Sequence, residues 1–183
     1  MARVLIPLAQ GCEELEAVTV IDLLRRAGIE VVTAGLKDGA VTCSRGVVLV
    51  PDTLLEQVLD DDFDMLVLPG GLPGADYLNE DPRIIRLLQQ MAQKQKYTAA
   101  ICAAPKVLAS AGLLHGRKAT SYPGVLDALQ LPDTRYQGDP VVVDGQVITS
   151  RGPGTAMDFA LELIEKLVGR ESRESVESGL VRA

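Results

Sequence analysis

The stretch Thr98-Ala99-Ala100-Ile101-Cys102-Ala103-Ala104-Pro105 joins a short apolar run to a segment that becomes helical. We predict a buried strand over residues 98–101 and a helix over residues 103–111 that stops at Gly112. Cys102 then lies in the turn, where the unpaired amides and partial positive charge of a helix N-terminus favour thiolate over thiol. A small apolar residue packed in a buried turn fits the same pattern, because free cysteine is among the most buried residue types. The local sequence leaves both interpretations of Cys102 open.

The rest of the chain alternates in the same way between short apolar runs and longer helical patterns. Further strands are predicted at residues 3–9, 30–34, 64–68 and 119–120, at two short runs within 41–50, and in a hairpin over 141–149 that turns at Asp144-Gly145. Further helices are predicted at residues 14–27, from 52 or 53 to about 59, at 83–95 and at 156–167, and the tail from Arg170 is helix-compatible. This alternation predicts an α/β sandwich of one domain over residues 1–183, with a mostly parallel sheet and helices on both faces.

Composition narrows the classes of partner. The 183 residues carry a formal net charge of −7, and no stripe of lysine and arginine runs along any segment. Nucleic acid and anionic membrane surfaces are therefore poor partners, and a small-molecule substrate or a protein partner is favoured. No apolar stretch approaches the roughly 20 residues of a membrane span, and the run over residues 4–9 is too short for a signal peptide.

The cysteine count points to a reduced compartment. Cys12, Cys43 and Cys102 are an odd number and form no Cys-x-x-Cys pair. A disulfide framework or a zinc site is therefore disfavoured, no metal or cofactor is implied, and a cytoplasmic location is predicted. Cys43 is interpreted as a packing residue or a site of incidental oxidation.

Two further segments follow predicted strands and converge with Cys102 on one sheet edge. The first, Gly11-Cys12-Glu13-Glu14-Leu15-Glu16, opens a helix, and its Glu13 and Glu14 are interpreted as complementing the helix dipole. Glu16 lies further in, where a poorly solvated carboxyl beside Cys102 would have a raised pKa and act as a general acid/base or bind an oxidised sulfur.

The other segment is Pro69-Gly70-Gly71-Leu72-Pro73-Gly74. Its glycines allow backbone amides to point inward and hold an oxyanion, although a plain tight turn fits equally. It matches neither the Gly-x-Gly-x-x-Gly fingerprint nor a Walker motif, which disfavours nucleotide binding. His115, the only histidine, lies in a predicted surface loop, so a Cys-His pair is not expected.

Taken together, these segments resemble the ThiJ/PfpI superfamily, in the branch of the parkinsonism-associated protein deglycase and its bacterial homologues. The matching segments span nearly the whole chain and keep their order: residues 11–16, 68–71, 99–105 and 149–155. The resemblance implies a flavodoxin-like sandwich and a homodimer, with Cys102 as the reactive thiol on a nucleophile elbow.

The resemblance also implies roles for other residues. Glu16 matches the glutamate that contacts the sulfur, and Gly71, with Gly70 beside it, and Ala103 match backbone amides that face the pocket. Further matches are the pocket residues Tyr122, Gly152 and Pro153, and two arginines of the pocket or dimer interface, Arg26 and Arg45. Tyr122 stands where many members have histidine; because tyrosine is a poor base near neutral pH, Glu16 would carry the proton transfers. Ala103 replaces the histidine of the protease branch and argues against proteolysis.

Two functions follow as expectations. The first is a glutathione-independent glyoxalase or deglycase with a stress-protective role, in which the Cys102 thiolate attacks a small α-oxoaldehyde such as methylglyoxal. The alternative is a non-enzymatic sensor of oxidative stress, or a chaperone, that acts through oxidation of Cys102 to the sulfinic acid. Both require a Cys102 pKa well below the model-peptide value of about 8.5.

Overall fold

The computed structural model describes residues 1–182. Within this range the strands are β1 (Arg3–Leu8), β2 (Glu30–Gly35), β3 (Val41–Thr42), β4 (Val48–Leu49), β5 (Thr53–Leu54), β6 (Met65–Leu68), β7 (Tyr97–Ile101), β8 (Lys118–Ala119), β9 (Arg135–Tyr136), β10 (Val141–Asp144) and β11 (Val147–Ser150). The α-helices are α1 (Glu14–Arg26), α2 (Gly74–Glu80), α3 (Pro82–Gln93), α4 (Pro105–Ser110), α5 (Ala156–Val168) and α6 (Arg170–Gly179).

Seven of the strands form the central sheet, in the order β10-β11-β7-β6-β1-β2-β5. Neighbouring strands are parallel except for the hairpin of β10 and β11. Parallel pairing requires crossovers, and helices supply them on both faces. The predicted α/β sandwich with a mostly parallel sheet is confirmed, and the fold is flavodoxin-like.

Alternate residues of β1 show how the two faces are filled. Val4 and Ile6 pack into one apolar cluster with residues of α1 and α5, whereas Leu5 packs into the other cluster with residues of α3 and α4. Successive strand side chains point to opposite faces, so a continuous apolar run is what a strand covered on both sides requires. Packing on both faces holds the central strands in place, and their carboxyl ends lie along one edge of the sheet.

Single residues mark the end of α1 and the start of α3 at the positions that the sequence predicts. Gly28 has φ +73°, its N–H donates to the Arg25 carbonyl, and the Ile29 N–H donates to the Leu24 carbonyl. This left-handed glycine closes α1 as predicted. At α3 the Asp81 side chain accepts the Arg83 N–H, and Pro82 occupies the first helical position.

The helix predicted from Asp52 or Thr53 to about Leu59 is wrong. Thr53–Leu54 form the edge strand β5 beside β2, and only a short 3-10 helix, Leu55–Val58, follows. Asp52 does not cap it, because its carboxylate accepts the Thr33 N–H and hydroxyl at 2.9 and 2.8 Å. A tertiary contact to β2 therefore replaces the local capping role.

Three smaller differences concern turns. The helix predicted from residue 103 begins at Pro105, after turn residues 102–104. Asp144 pairs with Val147, so the hairpin turns at Gly145-Gln146, one residue later than predicted. The glycine-rich turn continues into α2, a helix that was not predicted. No helix in the described part of the chain is long and apolar enough to cross a membrane.

Candidate active site

Cys102 lies on a strained turn at the carboxyl end of β7. Its φ is +63°, a left-handed conformation that is uncommon for a residue with a side chain. Its N–H donates to the Ser150 carbonyl at 3.0 Å, and its own carbonyl accepts the Tyr122 N–H at 2.8 Å. The backbone on both sides of the turn therefore holds Cys102 in the geometry of a nucleophile elbow.

The Glu16 carboxyl lies beside Cys102 and is fully buried. Its Oε2 accepts the Gly70 N–H at 2.9 Å, while its Oε1 has no hydrogen-bond partner. A Cβ on Gly70 would lie 2.6 Å from Cys102 Cβ and 2.7 Å from Glu16 Oε2. Only glycine fits between the two side chains, so Gly70 sets their close approach.

Burial and proximity change the ionisation of both groups. Burial raises the pKa of Glu16 to about 7, opposed by hydrogen bonds from the Gly70 amide and with Cys102. Burial and the neighbouring Glu16 carboxylate raise the pKa of Cys102 to about 12. The predicted lowering of the Cys102 pKa is therefore wrong, whereas the expected rise for Glu16 agrees with the structure. The two groups form one coupled pair that loses its first proton near pH 7 and keeps the second to high pH.

Two backbone amides act in the opposite direction on Cys102. Hydrogen bonds from the Gly71 and Ala103 amides lower its pKa, although not enough to offset burial and Glu16. Gly71 has φ +87°, and a Cβ there would lie 2.4 Å from the Glu13 nitrogen. Close packing of two loop backbones thus places the Gly71 amide, and the Gly71 and Ala103 amides both face the Cys102 sulfur.

Three further pocket residues expected from the resemblance surround the elbow. Tyr122 is half-exposed and is tied to Cys102 through its backbone. A Cβ on Gly152 would lie 3.3 Å from the Tyr122 ring, so these two residues pack together. Pro153 follows β11, the strand whose Ser150 carbonyl accepts the Cys102 N–H. The structure therefore brings these residues to the same edge as Cys102.

The two arginines have different positions. Arg26 ends α1, ten residues beyond Glu16 and so about 15 Å along the helix, and its side chain pairs with Asp22. Arg26 therefore lies away from the pocket formed by this chain, and its place at a dimer interface stays a prediction. Arg45 lies in the turn between β3 and β4, exposed, and its N–H donates to Glu14 at 2.9 Å.

Glu14 has a structural role that the dipole interpretation missed. Its carboxylate accepts the N–H groups of Arg45 and Val47 and the Ser44 hydroxyl. Burial alone would raise the pKa of Glu14, but these hydrogen bonds outweigh it and lower the pKa. The sequence signal for this role was the pair of short strands predicted within residues 41–50. The backbone N–H groups of the turn between these strands need a hydrogen-bond acceptor, and Glu14 supplies it. His115 is exposed beside Asp133, and Cys43 is buried, in line with their predicted settings.

A flavodoxin-like sheet with a cysteine elbow backed by a buried glutamate defines a class of α/β proteins built around one thiol. The model of the DJ-1/PfpI family matches residues 2–166, and the chain belongs to this family. Protein dj-1beta of Drosophila melanogaster is 47% identical over 180 residues, which cover 98% of this chain and 96% of that protein. The resemblance found in the sequence is confirmed.

Two other relatives bear on function. The glutathione-independent glyoxalase DJR-1.2 of Caenorhabditis elegans is 38% identical over 175 residues, covering 96% of this chain and 92% of that protein. The structure of oxidized Toxoplasma gondii DJ-1 is 41% identical, with a TM-score of 0.95 and full coverage of both chains. The family thus includes glyoxalase-type enzymes.

Proposed function

We propose that this protein is a glutathione-independent glyoxalase, with related deglycase activity, that protects against methylglyoxal-type α-oxoaldehydes. The observation that carries the proposal is the pairing of Cys102, held at φ +63°, with a fully buried Glu16 across Gly70. The family membership and the similarity to the C. elegans glutathione-independent glyoxalase support it.

In the proposed reaction the Cys102 sulfur adds to the aldehyde carbon of methylglyoxal. The carbonyl electron pair moves to oxygen, and the amides of Gly71 and Ala103 stabilise the resulting oxyanion. The proton on the former aldehyde carbon then moves to the neighbouring ketone carbon, which leaves a thioester of a 2-hydroxy acid. Water cleaves the thioester, giving lactate and the free thiol.

Glu16 is proposed to carry the protons. A carboxyl with a pKa of about 7 is present in both protonation states near neutral pH, which suits a group that both accepts and donates. This reaction does not need the lowered Cys102 pKa that the sequence predicted. Proton transfer from Cys102 to the ionised Glu16 gives a thiolate beside a neutral acid, without leaving two negative charges in the buried site. Tyr122 is half-exposed at the rim and is not needed as a base.

Turnover of methylglyoxal without added thiol tests the proposal. We expect lactate formation by the native protein, and a loss of at least a hundredfold for Cys102→Ser and Glu16→Gln, because each removes a group required for covalent or proton transfer. His115→Gln is the control and should keep full activity. Equal rates of lactate formation by the native protein and both site variants would refute the proposed glyoxalase activity.

A second candidate function is sensing of oxidative stress through Cys102. The unpaired Oε1 of Glu16 favours it, because a neutral carboxyl there would donate a hydrogen bond to a sulfinate oxygen. The oxidized relative from T. gondii is consistent with such a state. Limited peroxide should add two oxygens to Cys102 by intact-mass spectrometry, and prior sulfinate formation on Cys12 or Cys43 would contradict this role.

We also propose that the protein forms a homodimer and acts in the cytoplasm. One face of the chain combines α1 with the hairpin of β3 and β4, here called the α1–hairpin face. Its exposed apolar side chains are Leu15, Val18, Val47, Val48 and Val50. Such a patch favours burial against a second copy, and all three cysteines are free, as a reducing compartment requires.

A further inference from the structure

A pair of sulfur atoms outside the elbow lies in the core beneath the β3–β4 hairpin. The Sγ atoms of Cys12 and Cys43 are 3.6 Å apart. Their side chains are 0% and 4% exposed, so they face each other rather than solvent. Neither residue takes part in the proposed reaction at Cys102.

Backbone hydrogen bonds hold the two segments side by side. The Gly11 N–H donates to the Thr42 carbonyl, and the Ser44 N–H donates to the Cys12 carbonyl, both at 2.8 Å. The neighbours of each cysteine are thus bonded to the other segment. Disulfide sulfurs lie about 2.05 Å apart, so a bond requires the two sulfurs to approach by only about 1.5 Å.

We propose that Cys12 and Cys43 are an oxidation site that forms a reversible intramolecular disulfide, with hydrogen peroxide as the oxidant. The pair differs from a disulfide framework, because one bond is made within a chain that is already folded with both thiols free. The site is chemically separate from sulfinate formation at Cys102.

Cys43 is the attacking residue, since it is the less buried of the two and lies next to the hairpin turn. Its sulfur, once deprotonated, attacks one peroxide oxygen, the O–O bond breaks, and the released hydroxide takes up a proton to become water. The sulfenic acid formed on Cys43 is then attacked by the Cys12 sulfur, so that an S–S bond forms, the S–O bond breaks and a second water leaves. The two thiols lose two electrons and two protons, and peroxide is reduced to water.

Burial sets the rate of this oxidation. It raises the pKa of both thiols, so little thiolate is present and the reaction is slow at neutral pH. The disulfide therefore accumulates under prolonged oxidant exposure rather than in a brief pulse. Once formed, it ties the hairpin that carries Arg45 to the loop that leads into α1.

The experiment uses the folded Cys102→Ser protein, which removes the competing oxidation. After prolonged incubation with excess peroxide, intact mass should fall by about 2 Da, the mass of two hydrogens lost as a disulfide forms. Trypsin without reductant should then give one cross-linked species that joins residues 4–25 to residues 38–45, and dithiothreitol should separate them. Cys12→Ser and Cys43→Ser, each added to the Cys102→Ser background, should abolish both signals.

Melting temperature is a second readout of whether the bond fits the fold. A cross-link that closes this loop restricts the unfolded chain, so the oxidised protein should melt about 5 to 10 °C higher than the reduced protein. Retention of both free thiols, disulfides between chains, or a lower melting temperature on oxidation would each overturn the proposal. None of these results depends on glyoxalase activity, since the test protein lacks Cys102.

Discussion

At the residue scale, Cys102 and Glu16 show what local sequence reasoning captures and what it omits. The sequence predicted that the strand-following segments converge on one edge, and the structure places Glu16 and Gly70 against Cys102. The direction of the Cys102 pKa was predicted wrongly, because burial and the facing Glu16 carboxylate outweigh the lowering expected at a helix N-terminus. The helix is also only six residues long and begins at Pro105, two residues later than predicted. Desolvation depends on tertiary packing, which no local pattern displays.

The raised pKa of Glu16 predicts a dependence of stability on pH. In the unfolded chain Glu16 ionises near pH 4.5, whereas in the folded protein it stays protonated to about pH 7. The folded state therefore binds more protons in this window, and stability falls as pH rises from 4.5 to 7. Relative to Glu16→Gln, the native free energy of unfolding should fall by about 3 kcal/mol across this range. Urea denaturation of both proteins at several pH values measures this fall. If the free energy of unfolding depends on pH in the same way in both proteins, Glu16 does not have a raised pKa.

Gly70 predicts a steric effect on the site. Alanine there would place a Cβ 2.6 Å from Cys102 Cβ, a distance that real Cβ atoms do not adopt. Gly70→Ala should therefore lower stability by about 1 to 3 kcal/mol through overpacking and lower methylglyoxal turnover at least tenfold. Gly138→Ala, where a Cβ meets nothing within 4 Å, is the matched control. Full activity in Gly70→Ala would show that the approach of Glu16 to Cys102 is unimportant.

At the scale of elements, the helix ends that a single local residue fixes were predicted correctly. The prediction failed where a distant residue decides the structure. Gly28 and Pro82 marked the end of α1 and the start of α3. Asp52 was predicted to cap a helix because aspartate favours the N-cap position. Its carboxylate instead accepts hydrogen bonds from the N–H and hydroxyl of Thr33 on β2. The short strand β5 exists through pairing with β2, a contact that sequence periodicity does not report.

Asp81 lies between α2 and α3, and removal of its carboxylate is expected to lower the free energy of unfolding. Its carboxylate accepts the Arg83 N–H at the start of α3 and also pairs with the Arg83 side chain. Asp81→Ala should lower the free energy of unfolding by about 1 to 2 kcal/mol, through loss of the cap and of charge-assisted hydrogen bonds. Asp60→Ala, an exposed loop carboxylate, should change it by less than about 0.5 kcal/mol. Chemical denaturation compares the two, and equal effects would contradict the capping role.

At the scale of the whole molecule, the mostly parallel sheet follows from general rules, whereas the partner does not. Alternating strands and helices predict a parallel sheet with functional residues at its carboxyl edge, and the observed sheet has that form. Whether the α1–hairpin face meets a second copy depends on a surface that only the folded chain displays. Leu15 and Val18 occur within an otherwise ordinary helical pattern and are recognised as a patch only beside the hairpin valines.

The proposed dimer predicts the response to a charge on this face. Sedimentation equilibrium should give twice the 19.5 kDa chain mass for the native protein and the monomer mass for Val48→Asp, because a buried unpaired carboxylate opposes association. Leu129→Asp, at an exposed apolar residue outside this face, should remain dimeric. A native monomer, or a dimeric Val48→Asp, would reject the α1–hairpin face as the interface.

The central claim is that Cys102 and Glu16 share one proton and act as a single unit. The rate of Cys102 alkylation by iodoacetamide, followed from pH 5 to 9 by mass spectrometry, tests it most directly. In the native protein the rate should rise with a midpoint near pH 7 and then level off, because the pair loses its first proton there. In Glu16→Gln that midpoint should disappear, and Cys102 should titrate alone, with a pKa below the value of about 12 that it has beside the carboxylate. The same midpoint in both proteins would contradict the shared proton.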